Sequence, residues 1–364
     1  MKLKEKITIK TGSDFSGVGA FDYAIERVSK NKGFNHERVY ACDWDKYARI
    51  TYAHNHGEPT YFPHDVYERE IPKESLDIYM TSPPCQSFSL AGKREGKNSD
   101  KGVLFFNSYE FIKTNKPRFF IFENVKGLLS DDNGRTFQEW LNYLGGKSVN
   151  GLPLLFKDEN AVDYHIYWKV LNSKKHGVPQ NRERVFIIGI RDDQDNEFTF
   201  PKEEHLTLKL KDVLESNWDN KYLLSEKMIQ YLDRKKDSGR VQDFIDENED
   251  YAKTITANYS KQSTYNFIDI KSKYKNEIIS SINQDVATCI DASYYKGFGV
   301  RQGKCRQVVL QDKIRRLTPR ECFRLQDFPD SFDFSVVSDT QAYKQAGNSI
   351  TVRVLELILL KLKL

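Results

Sequence analysis

The first two hundred residues alternate short apolar runs with amphipathic helical patterns, and that alternation narrows the fold more than any other feature of the chain. Candidate strands lie at Ile7–Thr11, Val39–Cys42, Leu76–Thr81, Phe119–Glu123, Ile166–Leu171 and Val185–Ile190. Candidate helices fall at Ala20–Ser29, Lys46–His54, Phe105–Thr114 and Thr136–Leu144. A strand that feeds a helix and then another strand must cross over, so the strands run mostly parallel with helices on both faces. The expected fold is α/β: a doubly wound, mostly parallel, Rossmann-like sheet. Such sheets bind ligands beyond the carboxyl ends of their strands.

The texture changes after Pro201. Residues 201–310 are polar and irregular, with acids clustered at Asp243, Asp246, Glu247, Glu249 and Asp250. They are expected to form a second, smaller domain, with 1–200 and 311–364 together making the first. A helix should then restart at Thr318, which can cap it with Pro319 at the first position and Glu321 at the third, a capping-box arrangement. The apolar helix Ile350–Leu362 cannot stay exposed and is expected to pack back on the first domain.

No run of ~18 apolar residues occurs, so no membrane span is expected. No apolar signal core follows the opening MKLKEKITIK, which points to a cytoplasmic protein. Cys42, Cys85, Cys289, Cys305 and Cys322 are odd in number, widely spaced and contain no C-x-x-C. That argues for reduced thiols rather than a disulfide framework or a bound metal. A net charge of +4 does not by itself demand a polyanionic partner. Its distribution is more pointed: seven basic residues, Lys304 and Arg306 among them, lie between Lys296 and Arg316 against the single acid Asp312. This stretch suits nucleic-acid phosphates, although a solvated surface would look the same.

Four segments carry side chains suited to chemistry. Phe15-Ser16-Gly17-Val18-Gly19 sits between the first strand and the first helix, where glycines let a ligand approach backbone N–H groups. It lacks the third glycine of a dinucleotide fingerprint, since Asp22 stands there, and a tight strand–helix turn would also account for it. Asp43 and Asp65 follow strand ends, where acids can hold a ribose hydroxyl and an adenine amino group, or simply cap helices. Ser82-Pro83-Pro84-Cys85-Gln86-Ser87 puts a thiol in a polar, proline-stiffened loop at a strand's carboxyl end, whereas an inert cysteine usually sits in an apolar run. Glu123 closes the strand Phe119–Phe122 and precedes Asn124-Val125. Desolvation there favours the protonated acid, although a capping or salt-bridged Glu would look the same. Gln180-Asn181-Arg182-Glu183-Arg184 opens a strand on which Arg182 and Arg184 would share a face and could meet phosphate or a base carbonyl.

In this order the segments resemble the DNA (cytosine-5)-methyltransferase family, bacterial, restriction-modification-like. FSGVGAF, SPPCQSFS, ENV and QNRER are joined by RRLTPRECFRLQDFPD (Arg315–Asp330) and QAYKQAGNSI (Gln341–Ile350), so the likeness spans all but residues 201–285. One departure is visible. The family's first motif commonly has Asp two places before the Phe, where this chain has Ser13, with Asp14 next to Phe15. The resemblance implies an S-adenosylmethionine-dependent methyltransferase acting on duplex DNA. In it Cys85 attacks C6 of a flipped-out cytosine, Glu123 acts at N3, and Arg182 and Arg184 complete the catalytic set, Arg182 on the base carbonyl. The cofactor pocket it implies uses Phe15, Gly17, Gly19, Asp43, Trp44 and Asp65, with Val66 and Leu104, completed by Asn348 and Ser349. Gln86 would fill the space left in the duplex, and 201–310 would be the target-recognition domain. The chain would act as a monomer, associate with the nucleoid when on DNA, and share its site with a cognate restriction endonuclease. Two rivals are a tRNA cytosine-5 methyltransferase, against which the long insert speaks, and an inactive DNA-binding regulator, against which the intact Cys85, Glu123 and arginines speak.

Overall fold

The computed structural model describes residues 6–84, 103–194, 197–223, 287–288, 308–311 and 313–364. One mixed sheet of eight strands organises the first two hundred residues, in the spatial order β2-β1-β3-β4-β9-β7-β5-β6. Its strands are β1 (Thr8–Asp14), β2 (Asn35–Cys42), β3 (Ile78–Thr81), β4 (Phe119–Val125), β5 (Ser148–Val149), β6 (Leu152–Pro153), β7 (Tyr164–Asn172) and β9 (Glu183–Arg191). Helices α1 (Ala20–Lys32), α2 (Lys46–His56), α3 (Val103–Asn115) and α4 (Arg135–Leu144) lie between them in sequence. All six strands and all four helices expected in this part of the chain are present.

β1 pairs in parallel with both β2 and β3, and β3 pairs in parallel with β4. The chain therefore winds outward in both directions from β1, and the strand order reverses between β1 and β3, which makes this the switch point of the sheet. β9 returns antiparallel to β4, with Glu123 opposite Phe186 and Val125 opposite Arg184. β3 and the first six residues of β4 are buried throughout, as expected of strands covered on both faces. Phe119, Phe120, Ile121 and Phe122 form an unbroken apolar run for that reason rather than an alternating one.

Two local features depart from the expectations. The short hairpin β5–β6 extends the sheet beyond β7, and its two-residue turn is Asn150-Gly151, both with positive φ of 50° and 79°. That is the Asn-Gly hairpin signal. The QNRER segment is also not one continuous strand. β8 (Gln180–Asn181) pairs with β10 (Ala287–Thr288), and β9 starts afresh at Glu183. Arg182 falls at the break, so the shared face expected for Arg182 and Arg184 does not form.

Chain contacts divide the molecule into two compact units: Met1–Leu171 with Glu183–Lys202 and Val354–Leu364, and Asn172–Arg182 with Glu203–Arg353. The second is larger than the 201–310 insert, because residues 172–182 and 311–353 belong to it. It contains α5 (Leu210–Val213), the hairpin of β11 (Val308–Gln311) and β12 (Lys313–Arg316), α6 (Pro319–Arg324) and α7 (Asp339–Asn348). The capping box of α6 is formed as the sequence indicates: the Glu321 N–H donates to Thr318 Oγ1 at 3.2 Å, and the Thr318 N–H donates to Glu321 Oε2 at 2.8 Å. α8 (Val352–Leu359) carries the chain back into the first unit. Its Leu355, Ile358 and Leu359 are fully buried. Arg27 of α1 pairs with Glu356 at 3.3 Å, and Lys32 donates to the Leu362 carbonyl at 2.7 Å. No helix among the described residues is long and apolar enough to cross a membrane.

Candidate active site

The carboxyl ends of β1, β3 and β4 bring three of the sequence motifs side by side. Asp14, the last residue of β1, pairs with Thr81, the last of β3, and Thr81 with Phe122 of β4. Beyond β1 the backbone turns sharply. Phe15, Gly17 and Gly19 all have positive φ, at 55°, 56° and 83°. A phenylalanine in the left-handed region is strained, and such strain persists only where the surroundings impose it. Gly19 is required for a second reason: a Cβ there would lie 2.2 Å from Nε2 of the buried His56. At Gly17 a Cβ would meet nothing within 4 Å, so this peptide borders open space.

Asp43 holds the turn in place. Its Oδ2 accepts the Gly17 N–H at 2.7 Å and its Oδ1 accepts the Asp45 N–H at 2.8 Å. Burial raises its pKa, and the two backbone donors oppose that rise. The indole of Trp44 next to it is 68% exposed. On one side it leans on the His64 ring, with centroids 5.3 Å apart. Asp65 accepts the Tyr67 N–H at 2.9 Å, Val66 is buried and Leu104 is partly buried against the core. The eight residues from Phe15 to Leu104 that the sequence assigns to a cofactor pocket belong to one unit. Asn348 and Ser349 belong to the other, at the end of α7.

Glu123 is 7% exposed at the end of β4, and Nε of Arg184 on the neighbouring β9 lies 3.1 Å from its Oε1. Arg182 does something different. It is buried, and its Nη2 donates to the carbonyls of Gly347 at 3.1 Å and Ser349 at 2.6 Å, bracing the end of α7.

Cys85, Gln86, Lys304 and Arg306 lie outside the described residues. The loop that leads to Cys85 is described as far as Pro84, and it is tied on two sides. Ser82 Oγ donates to the Phe15 carbonyl at 3.4 Å, and Asn124 Nδ2 donates to the Pro83 carbonyl at 3.1 Å. Asn124 thus has a structural role that sequence reasoning did not give it. Arg69 was missed altogether. It reaches Asp14 with Nη2 at 2.7 Å, and the only trace of it in the sequence is that an acid buried at the end of β1 needs a cation.

A polar turn, an exposed aromatic face and a buried acid lie at the switch point of a doubly wound sheet, the place where α/β proteins of this class bind ligands. The family model for C-5 cytosine-specific DNA methylase matches residues 9–364, and the chain belongs to that family. It is 34% identical over 330 residues to type II methyltransferase M.SsoII of Shigella sonnei, covering 88% of this chain and 72% of that one. To M.HhaI of Haemophilus parahaemolyticus it is 32% identical over 346 residues, covering 94% and 91%. Among solved structures, Dnmt2 methyltransferase of S. pombe superposes with a TM-score of 0.64 at 17% identity, each chain covered to 97%, which speaks for the fold. The protein is therefore an enzyme of the cytosine-C5 DNA methyltransferase class, of restriction-modification type.

Proposed function

We propose that the protein methylates C5 of a cytosine within a specific duplex sequence, using S-adenosylmethionine as donor and Cys85 as nucleophile. The observation that carries the reading is the junction at β4: Glu123 is buried and paired with Arg184, while its neighbour Asn124 holds the carbonyl of Pro83, two residues before Cys85. A thiol two residues beyond Pro83 in the chain, together with a buried acid, suits addition to a heterocycle. The donor fits the turn beside them. Gly17 borders open space, the Trp44 indole is exposed, and Asp43 keeps lone pairs beyond its two backbone bonds. When bound, S-adenosylmethionine supplies an electrophilic methyl group.

The chain's own groups do the rest. The target atoms are hidden in a duplex, so the base must leave the stack. The Cys85 thiolate adds to C6, and Glu123 hydrogen-bonds or protonates N3 as negative charge gathers there. C5, made nucleophilic, takes the methyl. Loss of the C5 proton then expels the thiolate. Arg184 aligns Glu123 and takes over the base carbonyl that the resemblance gives to Arg182. Arg182, committed to Gly347 and Ser349, steadies the segment that carries Asn348. Residues 201–310 choose the sequence, Gln86 occupies the vacated position, and Lys304 and Arg306 meet phosphate. A cognate endonuclease on the same site and a monomeric state complete the proposal.

Bisulfite-type mapping of genomic DNA from cells that express the protein tests it. New 5-methylcytosine at one short recognition sequence is expected, and none with Cys85→Ala. Methylation of transfer RNA with unmodified DNA would overturn the reading.

A further inference from the structure

Asp14 ends β1 with a side chain wholly removed from solvent. A charge in such a place must be paired and hydrogen-bonded. Tyr40 donates its hydroxyl to Oδ1, Tyr79 donates to Oδ2 at 2.6 Å, and Arg69 Nη2 reaches Oδ2 at 2.7 Å. The Arg69 side chain is only 4% exposed, and the Asp14 carboxylate holds its guanidinium in the charged form against the opposing effect of burial.

Compensating one acid would not require an arginine. This guanidinium does more, because it reaches two further acceptors. Nη1 donates to the Val66 carbonyl at 2.6 Å, Nη2 donates also to the Asn107 carbonyl at 2.9 Å, and Cζ sits 5.2 Å from the Phe111 ring. Each acceptor belongs to a different wall of the candidate donor pocket. Asp14 directly precedes the strained Phe15. Val66 follows Asp65. Asn107 lies one turn from Leu104 on α3. A planar fork with five N–H groups can hold three such segments at once, whereas a point-charge ammonium cannot.

We propose that Arg69 is the positioning residue of the donor pocket, fixing the spacing of the β1 turn, the Asp65–Val66 loop and the start of α3 through its three acceptors. The proposal rests on the reading that this pocket holds S-adenosylmethionine. It also explains the acid next to Phe15, since Asp14 is the buried anchor of Arg69.

Calorimetric titration of the purified full-length protein with S-adenosylmethionine tests it. Asp14→Leu with Arg69→Met removes both charges and leaves apolar side chains of similar bulk, so the core keeps its filling. This double variant leaves the Tyr40 and Tyr79 hydroxyls without their acceptor, so it should unfold at a lower temperature than wild type; where it is folded at the assay temperature its donor Kd should rise about tenfold with kcat at saturating donor within about twofold, the pattern of lost binding rather than lost chemistry. A folded double variant that binds donor within about twofold of wild type overturns the proposal. Should the double variant fail to fold, Arg69→Lys decides. It keeps a cation for Asp14 but cannot span the carbonyls, so its donor Kd should rise about threefold, and wild-type affinity would be the refuting result. Trp44→Ala separates the two levels of the argument. Weakened binding in Trp44→Ala beside unchanged binding in the Arg69 variants overturns the role of Arg69 alone. A wild-type protein that takes up no donor overturns the pocket reading and this inference with it.

Discussion

Glu123→Gln is the single change that most directly separates chemistry from binding in this enzyme. The carboxylate and Arg184 are both largely shielded, with side chains 9% and 13% exposed, and their closest atoms are 3.1 Å apart. Two opposite charges ~4 Å apart at an effective dielectric near 20 attract by about 4 kcal/mol. Much of that offsets the cost of burying them. The amide keeps an oxygen for Arg184 and loses only the charge, so the fold should lose about 1–2 kcal/mol rather than the 3–5 kcal/mol of an orphaned buried ion. Chemistry should suffer more. An amide can still hydrogen-bond N3 but cannot deliver a proton, and losing a general acid costs about 10²–10⁴ in rate, some 2.7–5.5 kcal/mol of barrier. Single-turnover methylation of a duplex substrate at saturating donor, with calorimetric titration of the donor beside it, separates the possibilities. The rate should fall into that range while donor affinity stays within about twofold. Normal single-turnover chemistry with strongly weakened donor binding would refute the assignment and move Glu123 to the donor's pocket.

Other outcomes follow from the same geometry. Cys85→Ala should abolish methyl transfer while DNA binding persists, whereas Ala at Cys42 or Cys322 should leave transfer intact; filter binding and tritium incorporation read the two, and residual turnover within about tenfold of wild type would exclude covalent catalysis. Gly19→Ala sets a Cβ against His56 at a φ of 83°, so denaturant unfolding should show a loss of about 2–3 kcal/mol. His36, half-buried and bonded to Thr11 Oγ1 at 2.7 Å, has its pKa lowered by burial. The fold therefore holds it neutral while the unfolded chain takes up a proton below pH ~6.5, and stability should fall as pH drops from there, by at most about 1.4 kcal/mol per unit. His36→Gln should flatten that slope in urea melts between pH 7 and 5. Replacing 201–310 with the insert of a relative of different specificity should move methylation to the donor enzyme's site, as site mapping would show; an active hybrid that still marks the original site would place specificity elsewhere.

The sheet was legible because its strands are short apolar runs set off by polar turns, and periodicity finds such runs directly. The α6 cap was legible for a similar reason, since Thr318, Pro319 and Glu321 act on one another within a single turn. Arg182 shows where that kind of reading stops. Two residues from Arg184 on an apparent strand, it faces elsewhere because the chain changes partner between Asn181 and Glu183, and no local pattern records a pairing with Ala287–Thr288. Arg69 is the same lesson at longer range. Its acceptors Asp14 and Asn107 are 55 and 38 residues away along the chain. Only the physical demand of a buried acid pointed toward it.

The division of the first unit has a consequence for how the protein is made. By Leu171 the sheet still lacks β9, the strand between β4 and β7, and Glu183–Lys202 and Val354–Leu364 belong to the same unit. At roughly 5–20 residues per second a ribosome needs on the order of 10–40 s to travel from the first segment to the last. Through that interval β4 lacks its β9 neighbour until the middle segment emerges, and the α1 surface that meets Glu356 and Leu362 stays uncovered to the end. The half-made enzyme therefore exposes sticky surface while nascent, and a chain truncated before Val354 should be a client of chaperones rather than a smaller methyltransferase.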